Sequence, residues 1–269
     1  MSITLELELK LLADVGLVGL PNAGKSTLLR AMSKSRARVG NWAFTTLQPN
    51  IGTVVLDNHH GRPLAQSVHE TGEPRTNFTI ADIPGLIQDA HLDRGLGISF
   101  LRHVERARVL AFVIDLSAGD AVTALKLLWK EVGEYERMKV QEEKDKHEPI
   151  VQWSPFLSVD DALANRSETI IVNSGPSLNN PLAPQMPSIA TKPWFVVGTK
   201  ADMHATKENF EKLESYLGHI SAGTREHPSG LKDSWAKTVE AIPVSAINGH
   251  GVERITECTV RLLEEEANV

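Results

Sequence analysis

The fold of this chain is decided by the stretch Gly19-Leu20-Pro21-Asn22-Ala23-Gly24-Lys25-Ser26-Thr27. It fits the pattern G-x-x-x-x-G-K-[ST], in which a glycine-rich loop presents backbone N–H groups to phosphate oxygens. We expect Gly19 and Gly24 to take positive φ, which glycine adopts without a steric penalty. Lys25 is expected to reach the β- and γ-phosphates, and the Ser26 hydroxyl to hold Mg²⁺. The stretch therefore predicts a nucleotide-binding loop.

The residues on either side of this loop support the interpretation. A run of apolar residues before it predicts a buried strand over 13–19, and Leu28-Leu29-Arg30-Ala31-Met32 after it is typical of a helix. A strand, a loop and a helix in this order form the context in which the pattern binds phosphate. A glycine-rich turn without a ligand is the alternative, and the flanking elements count against it.

The composition is that of an ordinary globular protein. The chain has 269 residues, of which 41% are hydrophobic and 23% are charged, so one large α/β domain with a substantial core is expected. A net charge of −6 gives no global basic field that would attract RNA or a membrane. The only cysteine, Cys258, excludes an internal disulfide and is expected on the inner face of the last helix. The ten histidines are scattered, and we expect them to be exposed and not to bind metal.

The first residues have the pattern of a strand. Ile3, Leu5, Leu7, Leu9 and Leu11 alternate with polar residues, and this period of two predicts a half-buried strand. The sequence contains no run of about 18 apolar residues, and its N-terminus has the pattern of neither a signal peptide nor an Arg-rich presequence. Because such a strand needs a partner sheet, we expect residues 1–12 to be a strand or linker that belongs to a preceding N-terminal domain.

Two later motifs are placed where the phosphates and the metal would be. Phe44-Thr45-Thr46 lies about twenty residues past Lys25, where nucleotide hydrolases of this type place a Thr on Mg²⁺ and the γ-phosphate. Asp82 follows a predicted strand at 78–81 and is expected to hold Mg²⁺ through water. The N–H of Gly85 is expected to approach the γ-phosphate. Ser26, Thr46 and Asp82 are therefore the predicted metal residues.

Two motifs near the C-terminal end are assigned to the base. Thr199-Lys200-Ala201-Asp202 follows a predicted strand at 194–197. A carboxylate at Asp202 can accept both the N1–H and the 2-amino group of guanine, a donor pair that adenine does not have. A strand predicted at 239–244 leads into Ser245-Ala246-Ile247, whose backbone is expected to meet the guanine carbonyl. GTP is therefore the predicted nucleotide, and an ATP-using kinase or ATPase is an alternative that the carboxylate argues against.

The other segments complete an alternation of strands and helices. Strands are predicted at 51–57 and 109–114, and helices at 98–106 and 206–218. Two helix faces are predicted to be buried, and they comprise Leu125, Leu128, Trp129, Val132 and Tyr135 in one helix and Val252, Ile255, Cys258 and Leu262 in the last. Residues 139–192 hold six of the fourteen prolines, and we expect an insertion of low order there. The fold class is a doubly wound, mostly parallel α/β sheet of about six strands with its site at their carboxyl ends.

With these motifs in order, the chain resembles the Obg family of translation-factor-class GTPases. The resemblance is carried by 13–27, by Phe44-Thr45-Thr46-Leu47-Gln48-Pro49-Asn50, by Asp82-Ile83-Pro84-Gly85-Leu86-Ile87 and by 95–106. It implies a P-loop GTPase domain over 13–269 that hydrolyses GTP to GDP with Mg²⁺. It also implies a role in assembly of the large ribosomal subunit, with rRNA and ribosomal proteins as partners, and a monomeric isolated domain. The insertion resembles that of eukaryotic, fungal-type mitochondrial members, which implies a place in the matrix or at the periphery of the inner membrane, with a cytoplasmic location as the alternative.

The chain departs from the usual family pattern at two places that concern catalysis and the base. Leu86 stands where Ras-like enzymes carry a water-orienting Gln, so slow intrinsic hydrolysis is expected. The catalytic role is assigned to Lys25, Thr46, Gly85 and Asn22. Resembling GTPases with such an Asn often bind K⁺ beside the phosphates, whereas Asn22 as a simple loop cap is the alternative. Thr199 replaces the usual Asn of the base motif, and a GTP-gated binding module with negligible turnover also stays open.

Overall fold

A computed structural model of the chain describes residues 11–33, 49–56, 76–84, 97–147, 188–231, 234–235, 237 and 239–267. The chain divides into two compact units, one of residues 1–137 and 187–269 and the other of residues 138–186. Of the second unit, the described part is 138–147, which is helical. The fold and the site described below belong to the first unit.

The first unit contains a six-stranded sheet in the order β2-β3-β1-β4-β5-β6. Its strands are β1 (Ala13–Val18), β2 (Asn50–Val55), β3 (Asn77–Asp82), β4 (Ala107–Asp115), β5 (Trp194–Thr199) and β6 (Ala241–Pro243). Neighbouring strands are parallel except for β2, which runs antiparallel to β3. The predicted six-stranded, mostly parallel α/β fold is confirmed.

The pattern of burial explains why these segments are strands. Every residue of β5 is buried. In β1 all residues but one are buried, and in β4 all but two. Strands that are covered on both faces have such continuous apolar runs. In β2 only Gly52 and Val54 are buried, because this strand lies at the edge of the sheet. Each strand begins and ends within two residues of its predicted bounds.

Five helices accompany the strands in the described part of the chain: α1 (Lys25–Met32), α2 (Gly97–Glu105), α3 (Ala121–His147), α4 (Thr206–Ser221) and α5 (Val252–Ala267). The predicted apolar face of α3 is confirmed, because all five of its residues are buried. On α5, Ile255, Cys258 and Leu262 are buried and Val252 is partly buried against the core. Within the described ranges, no helix has the length and apolar character that spanning a membrane requires.

Aromatic rings fill the core near the amino-terminal end of β5. Trp194, the first residue of that strand, packs edge-on against Trp129 of α3 and Phe112 of β4, with ring centroids 5.2 and 5.6 Å away. The ring of His227, from the loop after α4, lies 4.5 Å from that of Trp129. His227 is only 9% exposed, so the expectation that the histidines are exposed is wrong at this position. Its Nδ1 lies 2.7 Å from Ser229 Oγ, an interaction that periodicity cannot reveal.

The predicted insertion at 139–192 differs from the described structure at both ends. At its start, α3 extends to His147. At its end, Ile189 and Ala190 are buried in a single 3-10 turn of the first unit. Glu136 accepts hydrogen bonds from Ser188 Oγ, at 2.5 Å, and from the Ile189 N–H. The sequence prediction placed the end of the insertion too late, because a turn of three residues has no apolar pattern that distinguishes it from the preceding Ser/Pro-rich sequence. The predicted strand at 3–11 lies outside the described residues apart from Leu11.

Candidate functional site

The loop between β1 and α1 lies at the carboxyl end of β1 and has an unusual backbone. Gly24 has φ 91° and Asn22 has φ 61°, both in the left-handed region. Asn is among the few side chains that tolerate this region. Gly19 does not have a positive φ, so that expectation is wrong. Glycine is required there because a Cβ would meet the carbonyl oxygen of Val113 on β4.

Helix α1 begins directly after Gly24 without a side chain that caps its N-terminus. The first N–H groups of a helix have no partners within the helix, and the helix dipole adds a partial positive charge. Lys25, Ser26 and Thr27 form this first turn. The loop and the helix terminus therefore form an anion-binding end of the kind that phosphates occupy.

Lys25 is the charged group of this loop. Its side chain is buried, and Nζ donates to the carbonyl oxygens of Gly19 and Leu20, both at 3.0 Å. Burial lowers the pKa of Lys25 to about 8, against the opposing attraction of the Asp82 carboxylate. A buried ammonium bonded to neutral carbonyls gains when a doubly charged phosphate lies beside it. Lys25 is therefore placed and poised to bind an anion.

Ser26, in the first turn of α1, and Asp82, the last residue of β3, are brought together at the end of the sheet. The hydroxyl of Ser26 lies 2.5 Å from Oδ2 of Asp82, and Asp82 is fully buried at the end of β3. A hydroxyl and a carboxylate are the hard oxygen ligands that Mg²⁺ prefers. The described residues contain no cluster of three or more His, Cys, Asp or Glu that could hold a metal unaided. Mg²⁺ is commonly held by one or two protein oxygens together with substrate phosphates, and Ser26 and Asp82 offer two such oxygens here.

Thr199 and Lys200 connect the end of β5 to the loop and to β4. The Thr199 hydroxyl lies 2.7 Å from the carbonyl oxygen of Ala23 and 3.1 Å from that of Ile114. Lys200, with φ 58°, forms an ion pair with Asp115 at the end of β4. Burial alone would raise the pKa of Asp115, but hydrogen bonds from Lys200 and Ser117 hold that pKa below its usual value.

The residues predicted to bind the base lie at the same end of the sheet. Asp202 is exposed in the turn after β5, and the Ala201 N–H donates to Val244 O, 3.1 Å away, which ties this turn to the loop after β6. The Ser245 N–H donates to His250 O at 3.1 Å, so the next N–H, that of Ala246, is the better candidate for a guanine carbonyl. Ile247 is 85% exposed at the edge of this site.

The structure thus brings together most of the predicted site. Ser26 is in contact with Asp82, whose carboxylate also attracts the Lys25 ammonium, and Thr199 joins the base motif to the phosphate loop. The other predicted residues lie outside the described part of the chain, and they are Phe44, Thr45, Thr46, Gly85 and Leu86. Asp115 was missed. It could have been found by the reasoning that selected Asp82, because it too follows a buried apolar strand directly.

Comparison with known proteins identifies the family. Residues 14–151, about half of the chain, match the family described as "50S ribosome-binding GTPase". The mitochondrial GTPase MTG2 of Saccharomyces cerevisiae is 48% identical over 134 residues, which are 50% of this chain and 23% of that protein. The GTPase Obg of Desulforudis audaxviator is 33% identical over 260 residues, 97% of this chain and 42% of that protein. The chain belongs to the Obg family of GTPases.

A further relative of this Obg-family chain is the probable GTP-binding protein OBGM, mitochondrial, of Arabidopsis thaliana. It is 55% identical over 113 residues, 42% of this chain and 20% of that protein. The chain thus spans less than half the length of each of these three relatives. Among solved structures, an S. thermophilus NFeoB mutant bound to GMPPNP aligns with a TM-score of 0.50 at 14% identity. That alignment covers 93% of this chain and 62% of the other, and it shows the fold alone.

Proposed function

We propose that this Obg-family chain binds GTP and GDP and hydrolyses GTP to GDP with Mg²⁺. The observation that carries the proposal is the juxtaposition of Lys25, Ser26 and Asp82 at an uncapped helix N-terminus. A buried ammonium, a hydroxyl and a carboxylate at this place are what a Mg²⁺-bound nucleotide requires. Membership in the GTPase family supports the same reaction.

The residues have separate tasks in this proposal. Lys25 exchanges its two carbonyl partners for oxygens of the β- and γ-phosphates. Ser26, Thr46 and Asp82 would hold Mg²⁺, and the ion neutralises charge that develops on the transferred phosphoryl group. The N–H of Gly85 orients the γ-phosphate, and N–H groups of the stretch 19–27 bind the remaining phosphate oxygens. Leu86 cannot orient water, so intrinsic turnover is slow.

Base selection is assigned to the loops after β5 and β6. The Asp202 carboxylate accepts from N1–H and the 2-amino group of guanine, and the Ala246 N–H donates to the guanine carbonyl. The Lys200 stem, held by the ion pair of its ammonium with Asp115, and Ile247 offer apolar surface to the ring faces. A Lys side chain can bury its methylene stem along apolar surface while its charged end stays paired.

The direct test is nucleotide binding by competition, followed by phosphate release. A fluorescent GDP analogue is bound in Mg²⁺ and displaced by GTP, GDP or ATP. We expect displacement by both guanine nucleotides, a much weaker effect of ATP, and slow release of phosphate from GTP. Equal displacement by ATP would favour the ATP-using alternative. Loss of binding in the Ser26→Ala variant, but not in a surface variant such as Lys207→Ala, would support the assignment of the site.

We propose further that the chain acts in assembly of the large ribosomal subunit, in the mitochondrion. The family description and the mitochondrial names of two relatives support this. Co-sedimentation of the full-length protein with mitochondrial large subunits, under GTP, GDP and a non-hydrolysable analogue, tests the partner. We expect retention with the analogue and release with GDP. Equal binding to the subunits with every nucleotide would contradict the role of a GTP-dependent switch. A cytoplasmic location in fractionated cells would contradict the mitochondrial assignment.

Single-turnover hydrolysis separates an enzyme from a GTP-gated binding module. We expect the rate of phosphate release to rise when ribosomal subunits are added. A rate that stays negligible with and without subunits would favour the binding module. The isolated domain is proposed to be monomeric, which sedimentation at several concentrations tests.

We propose that K⁺ is a second cofactor, bound at Asn22 beside the phosphates. Asn22 is exposed in the phosphate loop and has φ 61°, so its side-chain oxygen is available beside the bound phosphates. A monovalent cation held there would neutralise charge as an arginine finger does, an effect of about 10³–10⁵ in rate when fully realised. Hydrolysis is compared in KCl and NaCl at equal ionic strength, for the parent and for Asn22→Ala. Equal parent rates in both salts would contradict the proposal, because the two salts screen alike.

A further inference from the structure

Thr199 directly precedes the loop that carries Asp202, here called the base loop, and its side chain contacts the phosphate loop and β4. It is the last residue of β5 and is 2% exposed. A Cβ placed on Gly24 would lie 3.6 Å from Cβ, Cγ2 and Oγ1 of Thr199, so the side chain packs directly beneath the loop. The hydroxyl faces two backbone carbonyl oxygens, 2.7 Å away at Ala23 and 3.1 Å away at Ile114.

The hydroxyl has a single proton, and both of these neighbours can only accept. The proton is therefore shared between Ala23 O and Ile114 O, and none is left for another acceptor. On guanine, N7 and O6 are acceptors, so Thr199 has nothing to donate to them. Its oxygen retains the capacity to accept, but the two donors of guanine, N1–H and the 2-amino group, are assigned to Asp202 in the proposed function.

The contacts of Thr199 oppose a rotation of its side chain toward a base. Thr199 is paired with Asp115 in the register of β4 and β5, and the Leu116 N–H donates to Thr199 O at 3.2 Å. The next residue, Lys200, is held by its ion pair with Asp115. A rotation of the Thr199 side chain would break both hydroxyl contacts in a buried place, where unpaired polar groups are costly.

We propose that Thr199 is a positioning residue that fastens the phosphate loop to the base loop and makes no hydrogen bond to the guanine. The chain then selects guanine through its N1–H and 2-amino edge and does not recognise N7. This inference rests on the proposed GTP binding. An asparagine at this place would differ, because its amide has two N–H groups and could hold one carbonyl while donating to the base.

The test uses 7-deaza-GDP, in which a C–H replaces N7 and the rest of the base edge is unchanged. Dissociation constants for GDP and 7-deaza-GDP are measured for the parent, Thr199→Asn, Thr199→Val and Thr199→Ser. We expect the parent to bind both within about twofold. Thr199→Asn should acquire a preference for GDP of about threefold to tenfold, as one net hydrogen bond gives. Thr199→Val should weaken both nucleotides by the same factor, and Thr199→Ser should bind both as the parent does.

A parent preference for GDP of about threefold or more, the size expected of one net hydrogen bond, would overturn the proposal. So would a Thr199→Val variant that binds both nucleotides as tightly as the parent. The comparison of the two nucleotides needs only the parent, so it stands even if a variant does not fold. Failure of the proposed function would look different, because GDP itself would then not bind, or ADP would bind equally well.

Discussion

Among the described residues of the first unit, Lys25 and Lys192 are two buried lysines whose hydrogen-bond partners lie at very different distances in sequence. Lys25 and Lys192 are 7% and 6% exposed. Each donates from Nζ to two backbone carbonyl oxygens, Lys25 to Gly19 and Leu20 and Lys192 to Glu105 and Ala107. Lys25 follows the carboxyl end of β1, whereas Lys192 precedes the amino end of β5.

The partners of Lys25 are six and five residues away in sequence, within its own loop. Those of Lys192 are 87 and 85 residues away, at the junction of α2 and β4. A local pair can be exchanged for a ligand without separating elements of the fold. A long-range pair joins elements, and its loss leaves two carbonyl groups unpaired in the core. The sequence distance between a buried lysine and its partners therefore indicates whether the lysine can bind a ligand or joins elements of the fold.

The largest expected effect separates the two lysines. Lys25→Ala should weaken GDP binding by about 30-fold to 150-fold, because a hydrogen bond to a charged group contributes about 2–3 kcal/mol. Lys192→Ala should leave GDP affinity within about twofold but lower the free energy of unfolding by about 1–3 kcal/mol. Titration with GDP and chemical denaturation measure the two quantities. Equal losses of GDP affinity in both variants would contradict the distinction.

The next largest effect is expected on the preference for the nucleotide base, which is assigned to Asp202 at the carboxyl ends of the strands. Asp202→Asn should move the preference from guanine to xanthine nucleotides, because an amide can donate to the 2-carbonyl of xanthine. Two hydrogen bonds to a carboxylate predict a change in the affinity ratio of about 100-fold. Asp120→Asn is the control, since it removes the same charge from an exposed residue that caps α3. Unchanged GDP affinity with no gain for xanthosine diphosphate would remove Asp202 from the site.

The two ends of the sheet, the carboxyl ends of the strands around Lys25 and the amino end of β5 around Lys192, also differ in how far the sequence predicts them. The phosphate loop, Asp82 and the base motif were located because each carries a fixed spacing at the end of an apolar strand. The role of Gly19 could not be derived in this way, since it depends on β4 lying beside β1. The ion pair of Lys200 with Asp115 depends in the same way on β4 lying beside β5. Strand order is a tertiary property that local patterns do not contain.

The amino end was the less predictable of the two. The apolar face of α3 follows from its periodicity, and Trp194 from its apolar run. His227, Ile189 and Lys192 lie in turns without a regular period, and their burial depends on what packs over them. Sequence patterns identify a polar residue as functional when a motif surrounds it. They give no sign of a polar residue that is buried for stability.

A moderate effect is expected from the ionisation of Lys25. The pKa of this group is lowered to about 8, so the free protein loses the ammonium as the pH rises through 8. Phosphate binding requires the charged form, and GDP affinity should therefore fall about tenfold between about pH 7 and about pH 9. Lys25→Met is measured over the same range, and its weaker affinity should lack this decline. A parent affinity that does not change with pH would contradict the lowered pKa.

A smaller effect, on stability alone, is expected at the amino end. Burial lowers the pKa of His227 to about 4. Its folded pKa is below the unfolded value of about 6.5, so its contribution is complete above that pH and is lost as the pH falls toward 4. The melting temperature of the parent should fall a few degrees more over this range than that of His227→Phe. The exposed His219→Gln serves as the control and should follow the parent. Identical pH profiles for parent and His227→Phe would contradict the buried, neutral imidazole.

The smallest effect on nucleotide binding is expected from removal of residues 138–186, the second unit. A Gly/Ser linker of about 15 residues, with an average reach of about 20 Å, replaces them. The sheet, the phosphate loop and the residues 188–192 all stay in place, so GDP affinity should change by less than about threefold. A longer deletion, of 139–192, provides the comparison because it also removes Ile189, Ala190 and Lys192.

The longer deletion should lower the free energy of unfolding by at least about 3 kcal/mol relative to the shorter one. The loss combines a buried Ile side chain, worth about 2 kcal/mol or more, with the carbonyl groups that Lys192 leaves unpaired. Both quantities are measured on both proteins, by denaturation and by GDP titration. A loss of GDP affinity beyond about tenfold in the shorter deletion, or about 1.4 kcal/mol, would make residues 138–186 part of the nucleotide-binding structure. Equal stability of the two deletions would contradict the assignment of 188–192 to the core, and with it the structural role of Lys192.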